Sequence, residues 1–144
     1  MRLLFVCSGN ICRSPMAAAL ADRRMLALGR DVEVRSAGTL GLVDRPAEPR
    51  AVAVCREIGL DLTEHRSRPL TAELVRWADR IFVMEDDHAR AVRELVPELR
   101  EDAVVALGPL VGKAEIADPI SSLFKGPYRT ARDEIDAALQ RALR

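Results

Sequence analysis

The stretch Leu3-Leu4-Phe5-Val6-Cys7-Ser8-Gly9-Asn10-Ile11-Cys12-Arg13-Ser14-Pro15 decides the fold. Its first four residues form an unbroken apolar run, the pattern of a strand covered on both faces. Pro15 suits the first position of a helix, where its missing N–H would be unpaired in any case. Residues 7 to 14 are therefore expected to form a tight strand-to-helix loop. Backbone N–H groups of such a loop converge at the positive end of the following helix and cradle a tetrahedral anion. Cys7 lies at the floor of that cradle, beside Arg13 and the helix N-terminus, so its thiol is expected to ionise near neutral pH. It is then a nucleophile aimed at a bound phosphate.

Spacing alone does not establish this. With 3 cysteines and 20 arginines in 144 residues, chance supplies roughly 0.4 Cys and Arg pairs six positions apart. The surroundings give the pair its meaning: a buried strand before it, a helix start after it, Gly9 for close backbone approach and Ser14 beside the arginine.

Outward from the loop, Met16, Ala19, Leu20 and Leu26 continue a helical face until Gly29. Val32, Val34 and Ser36 alternate with charged residues, which predicts a strand at a sheet edge with one wet face. Residues 40 to 49 read as a loop bordering the site. Ala47, Ala51, Val54, Cys55 and Ile58 form a second helical face, so Cys55 points to the core. Residues 60 to 70 lack a period, and Arg66 to Pro69 predicts a surface turn. A short helix through Leu74 and Trp77 precedes a second buried strand, Ile81-Phe82-Val83-Met84. Glu85-Asp86-Asp87-His88 then opens a helix, and its carboxylates read as complements of the helix dipole rather than metal ligands. Val104 to Leu107 is a fourth strand, residues 108 to 127 are mainly loop, and Tyr128, Ala131, Ile135, Leu139 and Ala142 line a last helix. This order predicts an α/β fold: a four-stranded parallel sheet, doubly wound with helices on both faces. Ligands of such sheets bind beyond the carboxyl ends of the strands, where residues 7 to 14 fall.

Composition narrows the function. One domain spanning 1–144 is expected from the length. Lys plus Arg balances Asp plus Glu at 22 each, so no net field recruits nucleic acid or an anionic membrane, and attraction for phosphate is local. The start reads as a strand rather than a signal peptide, and no apolar stretch approaches a membrane span. An odd cysteine count argues against a secreted disulfide framework. The expectation is a cytoplasmic protein.

Cys7 to Pro15, with Ser36-Ala37-Gly38-Thr39, His65-Arg66-Ser67-Arg68, Met84-Glu85 and Asp118-Pro119, resembles the low-molecular-weight protein tyrosine phosphatases in motif, order and chain length. The resemblance implies hydrolysis of phosphomonoesters of proteins or small aryl phosphates, without metal or other cofactor. Cys7 is then the nucleophile that forms a phosphocysteine, Arg13 the phosphate clamp and Asp118 the general acid and later base. It also implies that Ser14 supports the Cys7 sulfur, that Ser36 and His65 help Asn10 brace the loop, and that oxidation can join Cys12 to Cys7. From the residues alone, Ser14 serves equally as a helix cap, Asn10 as a left-handed backbone position, and Cys12 as packing beneath the loop.

Three rival functions would need different residues. An arsenate reductase uses a similar loop, but its thiol-relay forms need more cysteines than Cys55 provides. A phosphate-binding module without activity would not need Cys7, Arg13 and Asp118 together. A protein arginine phosphatase of the same family carries threonine where this chain has Ile11, which leans toward phosphotyrosine. Phosphotyrosine members wall the cleft with aromatic residues where this chain has Leu42 and Ile120; Phe124 and Tyr128 are the candidate replacements.

Overall fold

In the computed structural model, which describes residues 1–144, β1 (Arg2–Cys7) runs through the interior of a four-stranded parallel sheet. The chain continues through α1 (Arg13–Ala27), β2 (Glu33–Gly38), α2 (Pro49–Arg56), α3 (Ala72–Trp77), β3 (Arg80–Val83), α4 (Asp86–Leu95), β4 (Val104–Ala106) and α5 (Gly126–Ala142). Spatial order is β2-β1-β3-β4, so β2 is an edge strand as its alternating pattern predicts.

The continuous apolar run of β1 follows from burial on both faces. Leu3, Phe5 and Cys7 point into a core shared with Met16, Leu20, Ile135 and Leu139 of α1 and α5. Leu4 and Val6 point the other way, against Leu74, Val75 and Val92 of α3 and α4. Each such large side chain contributes about 1.5–3 kcal/mol by leaving water. Phe5 also stacks on Phe82 of β3, with ring centroids 5.0 Å apart and planes at 15°. The sheet is built outward from β1 in both directions, first to β2 and then to β3. That reversal leaves a crevice past the carboxyl ends of β1 and β3, and both Cys7 and Glu85 border it.

Several boundaries differ from the sequence reading. Helix α1 starts at Arg13, so Pro15 is its third residue, a place where the missing N–H is still harmless. Ala47 lies before α2, which opens at Pro49 behind the N-cap Glu48, whose carboxylate accepts from the Arg50 N–H at 2.7 Å. Residues 66–69 are more than a surface turn. Ser67 is buried, its N–H donates to the Arg45 carbonyl at 2.8 Å, and Pro69 forms a parallel bridge with Gly38. Aperiodic sequence hides this because the backbone pairs with another loop, not with a regular strand.

Tyr128 corrects a second expectation. It lies fully buried in the core among α1, α2 and α5 and forms no wall of the cleft. Its hydroxyl faces the Glu48 carboxylate near Cys12 but makes no hydrogen bond of full geometry. A buried hydroxyl without a partner costs about 1–3 kcal/mol of desolvation. Tyr128→Phe is therefore expected to raise the thermal midpoint by a few degrees; a lower midpoint on heating would show that the hydroxyl is satisfied in solution.

Candidate active site

The loop after β1 turns because Asn10 takes a left-handed backbone, φ 57°. Its side chain makes three hydrogen bonds there: Nδ2 donates to Ser14 Oγ at 2.8 Å and to Ser36 Oγ at 2.9 Å, and Oδ1 accepts the Arg68 N–H at 3.0 Å. His65 Nε2 donates to the Asn10 carbonyl at 2.6 Å. Asn10 thus joins the conformational and bracing roles that its sequence context offers as alternatives. Gly38 completes the brace: a Cβ there would stand 2.7 Å from the Ser8 carbonyl and 3.0 Å from the Asn10 nitrogen. The neighbouring chain is pinned by Thr39 and Leu40, whose N–H groups donate to the Cys7 and Ser8 carbonyls at 3.0 and 2.9 Å.

The loop is left with free donors. The backbone N–H groups of Ser8, Gly9, Ile11, Cys12 and Arg13 find no acceptor in the protein. The Asn10 and Ser14 N–H groups point instead to Cys7 Sγ, at 3.3 and 3.4 Å. Ser14 Oγ lies 2.9 Å from the same sulfur and accepts from Asn10 Nδ2; toward a thiolate, which has no proton to give, its own O–H is the donor. Ser14 is the second residue of α1 and faces the sulfur rather than capping the helix. Three donors on one sulfur stabilise negative charge there.

Arg13 is the largest fully buried side chain, 1% exposed, and its charge is matched on several sides. Nη1 lies 2.6 Å from Glu85 Oε2 and donates to the Ile116 carbonyl at 2.6 Å. Nη2 lies 3.3 Å from Asp118 Oδ2. Asp118 is one-third exposed, and its other oxygen accepts the Ile120 N–H at 3.1 Å, which fixes the carboxylate at the cleft mouth.

A cleft opens over Cys7 and Arg13, bordered by Ile11, Leu40, Leu42, Ile120 and Asp118. Leu42 and Ile120 therefore stand where expected, and Leu40 joins them. Phe124 does not: it is 76% exposed and outside this lining, because the segment after Asp118 carries it away into solvent. Cys12 is 4% exposed and packs into the core beneath the loop; burial, with Asp118 and Cys7 adding to it, pushes its thiol well up. All three cysteines are free.

The sequence reads the carboxylates of residues 85–87 as helix caps and Met84-Glu85 as part of the family resemblance, and gives neither Glu85 nor His88 a part in the site. Both reach the site, Glu85 through Arg13 and His88 through Ser8 Oγ, 2.9 Å from its Nε2. Their position at the carboxyl end of β3 was the available signal.

The two histidines titrate in the same direction. Burial holds both below the ordinary 6.5, helped by Arg68 and Arg66 at His65 and by Arg13 at His88. The unfolded chain then binds more protons than the folded chain between those lowered values and 6.5, so stability falls as pH drops through this window. The thermal midpoint is expected to be lower at about pH 5.5 than at about pH 7.5, and the difference to shrink in a His65→Asn/His88→Asn variant. An unchanged difference would assign it to other groups.

Comparison with known proteins gives the family. The family model described as low molecular weight phosphotyrosine protein phosphatase matches residues 2–144. A protein-arginine-phosphatase of Geobacillus stearothermophilus is 38% identical over 97% of this chain and 92% of its own length. The low molecular weight protein-tyrosine-phosphatase Etp of Escherichia coli K12 is 37% identical over 93% and 82%. Among solved structures, a Cys-to-Ser mutant of the YwlE arginine phosphatase, with its active-site serine phosphorylated, superposes with a TM-score of 0.89 at 34% identity, covering 99% of this chain and 93% of that one. With a free-donor loop at the end of β1 and a family match over nearly its whole length, this chain belongs to the low molecular weight phosphotyrosine protein phosphatase family.

Proposed function

We propose that the protein hydrolyses phosphotyrosine-type phosphomonoesters in two displacements at phosphorus. The five unpartnered amide N–H groups around Cys7 carry this reading, because such a set matches the oxygens of a phosphoryl group. Arg13 and these amides hold the nonbridging oxygens while Cys7 Sγ attacks in line and expels the ester oxygen. Asp118, at the mouth of the cleft, gives that oxygen its proton; the carboxylate left behind then takes a proton from the water that cleaves the phosphocysteine. Both transition states spread negative charge over oxygens already facing fixed donors, so little reorganisation opposes them. Ser14 supports the sulfur as nucleophile and as leaving group.

The lining favours an aryl ester over a phosphoguanidine. Ile11, Leu40, Leu42 and Ile120 give apolar walls suited to a flat ring. Asp118 is the one acid among the lining residues, and the proposed proton transfer already occupies it. A guanidinium would need a further acceptor to pair with. The substrates we assign are phosphorylated proteins or small aryl phosphates. No helix is long and apolar enough to cross a membrane. Dependence on a free thiol suits a reducing cytosol, where we place the protein. Cys12 is kept as the partner for an oxidised Cys7, since both thiols share the loop.

A panel of phosphotyrosine, phosphoserine and phosphoarginine peptides with chelator present tests the assignment. Phosphotyrosine is expected to turn over fastest, and Cys7→Ser to lose turnover while still binding inorganic phosphate; a preference for phosphoarginine would reassign the substrate. Asp118→Asn is expected to slow alkyl-type and tyrosyl esters about 10²–10⁴-fold and p-nitrophenyl phosphate much less, because that leaving group needs little protonation. Equal losses on the two would remove Asp118 from the role of acid.

A further inference from the structure

Ser8 and His88 form a connected pair that the two-displacement mechanism leaves unused. His88 is the third residue of α4, 1% exposed, and accepts the Glu85 backbone N–H at its Nδ1, 3.1 Å away. A ring nitrogen that accepts carries no proton, so in the neutral imidazole the proton is on Nε2. Nε2 lies 2.9 Å from Ser8 Oγ and therefore donates to it. Arg13 Nη2 approaches the same oxygen at 3.5 Å. Both lone pairs of Ser8 Oγ are thus turned toward donors, and its own O–H has no acceptor in the protein. Ser8 lines the cleft with Cys7, Gly9 and Arg13.

We propose that the Ser8 hydroxyl is a further donor to the phosphoryl group, and that His88 is the positioning residue that aims it. The inference rests on the phosphate-site reading above. The chain of donors runs in one direction, from the Glu85 N–H through the imidazole and the serine hydroxyl to a phosphate oxygen. The ring is kept in its neutral form by burial and by the nearby guanidinium of Arg13, against the pull of Glu85, Asp87 and Asp118. A neutral ring is what the device needs, since a proton on Nδ1 would face the Glu85 N–H. Glu85, the residue just before α4, pairs with Arg13 Nη1, so one strand end sets two donors on the anion: the arginine fork through an ion pair and the serine hydroxyl through the imidazole.

Side-chain geometry gives a test that separates this role from helix capping. Asn at position 88 keeps an acceptor near the place of Nδ1 and so keeps the cap, but it cannot reach Ser8. Gln places an N–H donor near the position of Nε2. Inhibition by inorganic phosphate and kcat/KM on an aryl phosphate are measured for Ser8→Ala, His88→Asn, His88→Gln and the Ser8→Ala/His88→Asn pair. A hydrogen bond to a charged oxygen is worth about tenfold or more. Ser8→Ala and His88→Asn are each expected to weaken phosphate inhibition and lower kcat/KM about tenfold. The pair should be no worse than either alone, and His88→Gln should recover most of the loss. Phosphate inhibition unchanged in Ser8→Ala, in an enzyme that still turns over, would overturn this inference and leave the phosphatase reading standing. Additive losses in the pair would overturn it as well, by giving His88 an effect independent of Ser8. If the wild-type chain binds no phosphate, the inference and the site reading fall together.

Discussion

The constraint on which the site depends is the left-handed backbone of Asn10. That reversal turns the Asn10 N–H onto the Cys7 sulfur, where the Ser14 N–H joins it. A side-chain-bearing residue in this conformation costs about 1–2 kcal/mol. Three side-chain hydrogen bonds, each worth about 0.5–1.5 kcal/mol net, outweigh that cost. Glycine would adopt the turn more easily, but it would leave Ser14, Ser36 and the Arg68 amide without their common partner. The loop is held from three directions: β2 through Ser36, the 65–68 segment through His65 and Arg68, and α1 through Ser14.

A second constraint is the buried positive charge of Arg13. Burying a guanidinium is expensive unless every side is matched, and removing a single partner of a buried ion pair typically costs about 3–5 kcal/mol. Glu85, Asp118 and the Ile116 carbonyl supply the match. They come from the ends of β3 and from the segment that follows β4, so the sheet order itself assembles the arginine's environment. Glu85 lies at the protein side of the guanidinium and Asp118 at the cleft, which leaves the fork rigid where it is anchored and open where an anion enters. The same arrangement brings His88 against Ser8. The topological reversal between β1 and β3 is therefore a chemical feature as well as a packing one.

Much of the site was legible because its chemistry is local in sequence. Cys7, Gly9, Asn10, Arg13 and Ser14 fall within eight residues, and the period change from strand to helix reveals the loop that holds them. Glu85 and His88 were not legible in the same way. Acidic residues and a histidine at a helix start have a sufficient explanation as caps, and nothing in their spacing reports an arginine some seventy residues earlier. Phe124 and Tyr128 misled for the complementary reason. Aromatic residues downstream of Asp118 suit a cleft wall by type, but the register of α5 turns Tyr128 inward and the preceding segment leaves Phe124 in solvent.

By itself the sequence determined the parallel α/β architecture, the two-faced burial of β1, the edge position of β2 and the anion loop with its cysteine and arginine. These depend on periodicity, on turn residues and on contacts within one short segment. The tertiary structure decided which protons point where: Ser14 to the Cys7 sulfur, His88 to Ser8, and five backbone amides to no protein atom at all. It also decided which apolar residues wall the cleft. Those outcomes depend on distances between strand ends that are far apart in the chain. Hydrogen-bond direction and side-chain register are fixed only when those ends are packed together.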